Sequence, residues 1–226
     1  MKTTTYRPIP IGLTMLIALF GALVALALSG GHDASAHDDA SHASTAISEK
    51  ELALRQDMRK LWEDHVTWTR LAVISLTTDA PDTQATVGRL LTNQTHIGNA
   101  IKPFYGKKAG NQLTALLKEH IAIAADLIAV ARKGDTAAVS SEQERWQANA
   151  DAIAAFLSSA NPNWKPAPTK AMMRSHLRLT TNEVVARLTK DWAADVRAYD
   201  RIHIQILHMA DMLSDGLVAQ FPARFR

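Results

Sequence analysis

The chain has 226 residues, 47% of them apolar, enough for one sizeable core. Its 25 Lys and Arg against 22 Asp and Glu leave a net charge of +3. With no run of basic residues and no basic stripe interleaved with aromatics, that excess does not point to nucleic acid. There is no cysteine, which excludes disulfides, thiolate metal sites, cysteine nucleophiles and lipid attachment to an N-terminal cysteine.

The N-terminus carries an export signal. Lys2 and Arg7 are positive, Ile11 to Leu28 is apolar apart from Thr14, and Ser29-Gly30-Gly31 breaks the run. Ala34-Ser35-Ala36 supplies the small residues that a signal peptidase needs. Cleavage after Ala36 is expected, giving a signal peptide over 1–36 and a mature chain starting at His37. An uncleaved anchor is the alternative, and the 18-residue apolar run is at the short end for a span. No second apolar segment of that length follows, so only the N-terminal segment, if kept, would touch a membrane. The protein is expected in the periplasm, the cell envelope or outside the cell. Residues 37–47 are rich in Asp, His, Ala and Ser without apolar periodicity, and read as a disordered spacer. His32, His37 and His42 fall at five-residue intervals here, and a solvated spacer explains them better than a metal site.

The remaining chain, 48–226, has the periodicity of an all-α domain. Ser48-Glu49-Lys50-Glu51 is a capping-box pattern, and Leu54, Met58, Leu61, Trp68 and Ala72 follow at helical spacing. That helix should end near Leu76. A second helix opens at Pro81 and ends ahead of Pro103. A third follows the Phe104-Tyr105-Gly106 turn, with Leu113, Leu116, Leu117, Ile121 and Leu127 as its stripe and Gly134 as its cap. The fourth begins near Ser140-Ser141 and stops before Asn161-Pro162. A short helix over Pro168 to Leu177 precedes a second capping-box pattern, Thr180-Thr181-Asn182-Glu183. From there the period continues to Phe221, predicting one unbroken rod of roughly 60 Å. No stretch alternates with period two. The expected architecture is an antiparallel bundle of four to six helices with one long C-terminal helix.

Two hairpins read alike. Leu61-Trp62-Glu63-Asp64-His65-Val66 matches Leu116-Leu117-Lys118-Glu119-His120-Ile121, and Arg89, Asn93 and Ile97 match Arg145, Asn149 and Ile153 in spacing. Two copies of one unit about a pseudo-twofold axis would explain this.

His65 and His120 lie on apolar stripes, as do Gln94 and Asn149. Asn93 is adjacent, so Asn93, Gln94 and Asn149 form a candidate buried polar network around the two histidines. A neutral network that fixes helix register is the preferred meaning. The sharper meaning is a metal site of His65 and His120, with His203 as third ligand, since imidazole suits zinc, copper, nickel or iron. A di-iron carboxylate centre is disfavoured, because the residues three before His65 and His120 are Trp62 and Leu117 rather than Glu. Covalent haem is excluded by the absence of cysteine. A b-type haem would need axial histidines and a wide slot, and the sequence specifies no cofactor. No serine-nucleophile elbow, phosphate-binding glycine loop or zinc-protease motif occurs, so no catalytic residue is assigned. Lys102 with Tyr105-Gly106 could attract an anion, but a plain helix–helix turn accounts for the same residues. The preferred reading is a non-enzymatic binding or structural protein of the envelope, the runner-up a metal- or haem-binding bundle, and an enzyme the third.

Leu61-Trp62-Glu63-Asp64-His65-Val66-Thr67-Trp68-Thr69-Arg70, Asn93-Gln94, Ile97-Gly98-Asn99-Ala100-Ile101-Lys102-Pro103 and Tyr105-Gly106 carry a resemblance. So do His120-Ile121, Phe156-Leu157, Asn161-Pro162, Thr180-Thr181-Asn182-Glu183-Val184 and Gln220-Phe221-Pro222. Over nearly the whole mature chain the sequence resembles a widespread bacterial family of small, exported or soluble helical proteins without an assigned activity. Some members carry the labels glycosyltransferase or acetylglutamate kinase. Both activities need α/β nucleotide-binding domains, and this chain has no strand pattern. The resemblance implies the extent of the domain and no mechanism.

Overall fold

Each helix forms where an apolar stripe meets a cap. The computed structural model describes residues 47–226, so the expected signal peptide, nearly all of the spacer and its histidines lie outside the described residues. Helix α1 (Glu49–Thr78) starts on Ser48, whose hydroxyl accepts from the Glu51 amide at 3.2 Å. It stops at Asp79, which sits in the left-handed region (φ 57°). Helix α2 (Thr83–Lys133) is broken at Gly106, with φ 83° and ψ 170°, values that favour glycine. The chain turns back there, and the two limbs pack backbone to backbone. A Cβ at Gly98 would stand 2.6 Å from the Gly110 carbonyl, and one at Gly110 2.5 Å from that of Gly98. Helix α3 (Thr136–Ala160) is capped by Asp135, α4 (Pro166–Thr189) opens on proline, and α5 (Trp192–Gln220) is capped by Asp191. A short 3-10 turn, Pro222–Arg224, ends the chain against the start of α1, where the Ser48 hydroxyl donates to the Phe225 carbonyl. Every regular element among the described residues is helical, and none is long and apolar enough to cross a membrane.

Successive helices pack side by side, and α5 closes back on α1, so the six rods form a ring around one core. The ring is three hairpins in succession: α1 with the first limb of α2, the second limb of α2 with α3, and α4 with α5. The repeat is therefore threefold, not twofold. Leu61, Leu116 and Met172 correspond along the first rods, as do Val66, Ile121 and Leu177. Along the second rods Leu90, Trp146 and Ile202 correspond, then Ile97, Ile153 and Met209, then Ile101, Leu157 and Leu213, all of them buried.

The third hairpin corrects the expected unbroken C-terminal helix. The chain leaves α4 at Lys190, which is left-handed (φ 61°) and closes the helix with its own amide on the Ala186 and Arg187 carbonyls. Asp191 then accepts from the Ala194 amide at 2.9 Å and starts α5. The expected capping box at Thr180-Thr181-Asn182-Glu183 is interior to α4. Glu183 is buried and bonds Arg70 of α1 at 2.7 Å, so its polarity serves the core. Helix α3 likewise starts earlier than Ser140, because Asp135 takes the cap.

Arg70 also bonds both oxygens of Asp195 on α5, and Arg187 reaches Asp195 at 3.2 Å. Burial pushes the Glu183 carboxyl up, while Asp195, equally buried, is held below its usual range by Arg70 and Arg187. One guanidinium thus ties α1 to both rods of the third hairpin. Removing it strands the buried Glu183 and leaves Asp195 with Arg187 alone, so Arg70→Ala is expected to cost about 3–5 kcal/mol. Chemical denaturation of the purified variant measures this, and a loss under about 1 kcal/mol, the level of an exposed pair, would contradict it.

Candidate functional site: a layer of three buried histidines

Each hairpin places one histidine on its first rod and one amide on its second, facing across the pair. His65 Nδ1 lies 3.2 Å from Gln94 Nε2, His120 Nδ1 lies 2.8 Å from Asn149 Oδ1, and His176 Nδ1 lies 3.0 Å from Gln205 Oε1. The separation along the chain is 29 residues in all three. His65, His120 and His176 are 55 and 56 residues apart and all are buried. Their rods alternate around the ring and run in one direction, so the imidazoles sit at one level. The His176 ring centre is 5.8 Å from that of His65 and 6.5 Å from that of His120.

The amides do a second job. Asn149 Nδ2 donates to the Leu116 carbonyl at 3.2 Å, and Gln205 Nε2 to the Met172 carbonyl at 3.4 Å. Both carbonyls lie one turn before the histidine. This donation fixes which end of each amide faces the ring. In the first hairpin two neighbours share the work: Asn93 Nδ2 donates to the Leu61 carbonyl at 3.0 Å, and Gln94 meets His65. Asn93, Gln94 and Asn149 are therefore all placed on the histidine layer.

The tautomers follow from these partners. His120 and His176 face amide oxygens, so their Nδ1 atoms carry the protons and their Nε2 atoms carry lone pairs. His65 faces an amide nitrogen, so its Nδ1 accepts and its Nε2 holds the proton. The Nε2 of His120 is fully buried and has no hydrogen-bond partner, and neither has Gln94 Oε1. Burial holds all three imidazoles below the usual histidine range, with neighbouring rings adding to it for His65 and His120; His120 is brought down to about 3. The layer is thus neutral at ordinary pH.

Apolar chambers lie on both sides of the layer, and all three histidines line both. One, of about 60 Å³, is walled by residues such as Val73, Ile128 and Val184, with half-exposed Leu76 and Leu188 at its outer end. The other, of about 30 Å³, is lined by Met58, Met173 and Met209 with Trp62 and Leu117. Neither lining contains an Asp or a Glu.

No family model matches the chain, and no curated protein or solved structure matches it.

His203 does not join His65 and His120. It stands on the outer side of α5, bonds Glu63 at 2.6 Å and stacks on Tyr199. The third histidine of the layer is His176, which the sequence analysis passed over inside its short helix. The 55- and 56-residue intervals, together with Gln205 29 residues on, were the signal for it. Among the described residues no three His, Asp or Glu side chains are already spaced around one ion. With nitrogen–metal bonds of roughly 2.0–2.1 Å, three imidazole centres would lie about 5–5.5 Å apart. His176 stands 5.8 and 6.5 Å from the other two rings, wider than that, so holding an ion would require the rings to turn inward. Tyr105, expected at a turn, donates to Gln220 at 2.6 Å and accepts from Asn161 at 3.0 Å, so it holds the bundle end together.

Histidines held neutral make stability pH-dependent. Their folded values lie below the unfolded value of 6.5, so the stabilisation is complete above that pH and is lost as pH falls below it. Each contributes about 1.4 kcal/mol per pH unit in that window. Glu183, pushed up by burial, acts in the opposite direction, so the histidine share is read from the difference between the native profile and that of a histidine variant. Denaturation series across that window are expected to show a steep fall in stability, reduced by about a third in His120→Leu. A flat profile would contradict burial of neutral rings.

Proposed function

We propose that this is a non-enzymatic binding protein of the cell envelope, and that its ligand is a transition-metal ion held by His65, His120 and His176. The observation that carries the reading is the arrangement of ring nitrogens. Amides on the paired rods occupy the three Nδ1 atoms, and the three Nε2 atoms have no hydrogen-bond partner among the described residues. Two of these already bear lone pairs, and that of His120 is buried without a donor. Metal-bound histidines have the same two-sided arrangement, with the far nitrogen bonded to a group that fixes tautomer and orientation. Freeing the third Nε2, that of His65, requires the Gln94 amide to turn over, giving up its donation to the Leu90 carbonyl at 2.9 Å and to Asn93 Oδ1 at 3.1 Å. No nucleophile, paired acid and base or phosphate-binding loop accompanies the histidines, which favours binding over catalysis. Of the two cofactor alternatives, the ion fits the chambers, whereas a haem macrocycle far exceeds their 60 and 30 Å³.

Protein purified without an affinity tag is expected to carry a stoichiometric transition metal by elemental analysis. His120→Phe and His176→Phe should lose it, and His203→Ala should keep it. Metal-free protein that takes up none of zinc, cobalt, nickel or copper on titration would overturn the reading. The purely structural alternative draws on the same nitrogen–amide bonds, which alone fix the register of each hairpin.

The envelope location rests on the charged start, the apolar run and Ala34-Ser35-Ala36. N-terminal sequencing of the native protein should begin at His37, and an intact Met1 on a membrane-bound product would replace cleavage with an anchor.

A further inference from the structure

We infer that the ion is soft and monovalent, copper(I), and that buried methionines on one side of the histidine layer complete its coordination; this rests on the three-histidine reading above. The second chamber brings Met58, Met173 and Met209 against the same three rings. All three methionines are buried. Met173 lies on α4 one turn before His176, and Met209 on α5 one turn after Gln205, so both project into the layer's own hairpin. At the position of Met173 the first hairpin has Trp62 and the second Leu117, so the third hairpin supplies two of the thioethers and the first, through Met58, the other.

Charge selects in the same direction as ligand softness. Three neutral imidazoles and thioethers bring no negative charge. The amides behind the rings are neutral, and no Asp or Glu lines either chamber. Glu119 is exposed and reaches the layer only through Asn149 Nδ2 at 3.1 Å. A divalent ion here would leave two uncompensated charges in an apolar core, where the cost of burying charge is severe. A monovalent ion leaves one. Zinc, iron and nickel favour added carboxylate, water or thiolate, whereas thioether sulfur suits copper(I). Trp62, Trp164 and Leu217, all buried, line the same chamber and add no oxygen ligand that would favour copper(II).

The test uses the full mature protein under anaerobic, reducing conditions. Copper(I) is titrated in competition with a chromogenic bicinchoninate chelator, silver(I) serves as a redox-inert surrogate, and zinc(II) and cobalt(II) are titrated in parallel. Copper(I) and silver(I) are expected to bind stoichiometrically, with zinc(II) weaker by at least about 100-fold. The double variant Met173→Leu/Met209→Leu conserves volume, and its thermal midpoint is the control for folding. It should lose about tenfold or more in copper(I) affinity. X-ray absorption of the loaded native protein should show sulfur beside nitrogen scatterers, and the variant should show fewer sulfur scatterers, with Met58 as the one thioether left. Zinc(II) or cobalt(II) binding as tightly as copper(I) through the histidines, or copper(I) bound without sulfur and unaffected by the double variant, would overturn the inference and leave the three-histidine site standing. Failure of every ion to bind would overturn both.

Discussion

An imidazole inside an apolar core must stay neutral and must have its polar atoms met, and this protein solves that problem three times with the same bond. The ring takes a side-chain amide from the next rod, and the amide is oriented in turn by a backbone carbonyl one turn below the ring. An unmet polar group costs about 1–3 kcal/mol, and the alternative of charging the ring is worse because the other two rings lie beside it. The bond therefore fixes the axial register of each hairpin. It also fixes the height at which the three hairpins meet, since a sliding rod would strand an amide and a ring together. The apolar stripes can slide by a turn with modest loss, but the histidine–amide pairs cannot.

The three copies are not identical, and their differences are where the molecule departs from a plain scaffold. The first divides the amide work between Asn93 and Gln94, leaves Gln94 Oε1 without a partner, and presents His65 in the opposite tautomer to the other two. The third supplies Met173 where the others have tryptophan and leucine, and Met209 where they have isoleucine, and Arg70 pins it to α1 through Glu183 and Asp195. A core needing only register would be served by three equal pairs. Asymmetry in hydrogen bonding and in soft atoms is concentrated around the layer, next to its two chambers.

Most of the fold was legible because apolar period and cap chemistry agree. Ser48, Gly106 and Gly134 act as their residue types suggest, and the stripes through Leu61, Leu90, Leu113 and Ile153 face the core. The break after Thr189 was hidden because a lysine, not a glycine, takes the left-handed position, and apolar residues of helical period continue on either side. Thr180 to Glu183 imitated a helix start. Those side chains are polar because Thr180 bonds the His176 carbonyl and Glu183 receives Arg70, neither of which local sequence reveals. With that false start accepted, His176 fell near the end of a short helix and Gln205 in the middle of a long one, so the third copy stayed out of sight. His203 looked eligible because it occupies a stripe edge of α5, yet its ring turns outward to Glu63 and Tyr199. His65, His120, Gln94 and Asn149 were readable for the opposite reason: a polar residue in an otherwise apolar stripe has few places to go.

The central claim is that three neutral imidazoles are held through Nδ1 with Nε2 left without a hydrogen-bond partner. Nitrogen-15 NMR of the histidine rings in metal-free protein tests it most directly, because the two ring nitrogens report protonation separately. The account requires His120 and His176 to show protonated Nδ1 and unprotonated Nε2, His65 the reverse, and all three to keep these signatures as pH falls through 6.5. Rapidly exchanging tautomers, or core rings that protonate as pH falls through 6.5, would contradict it.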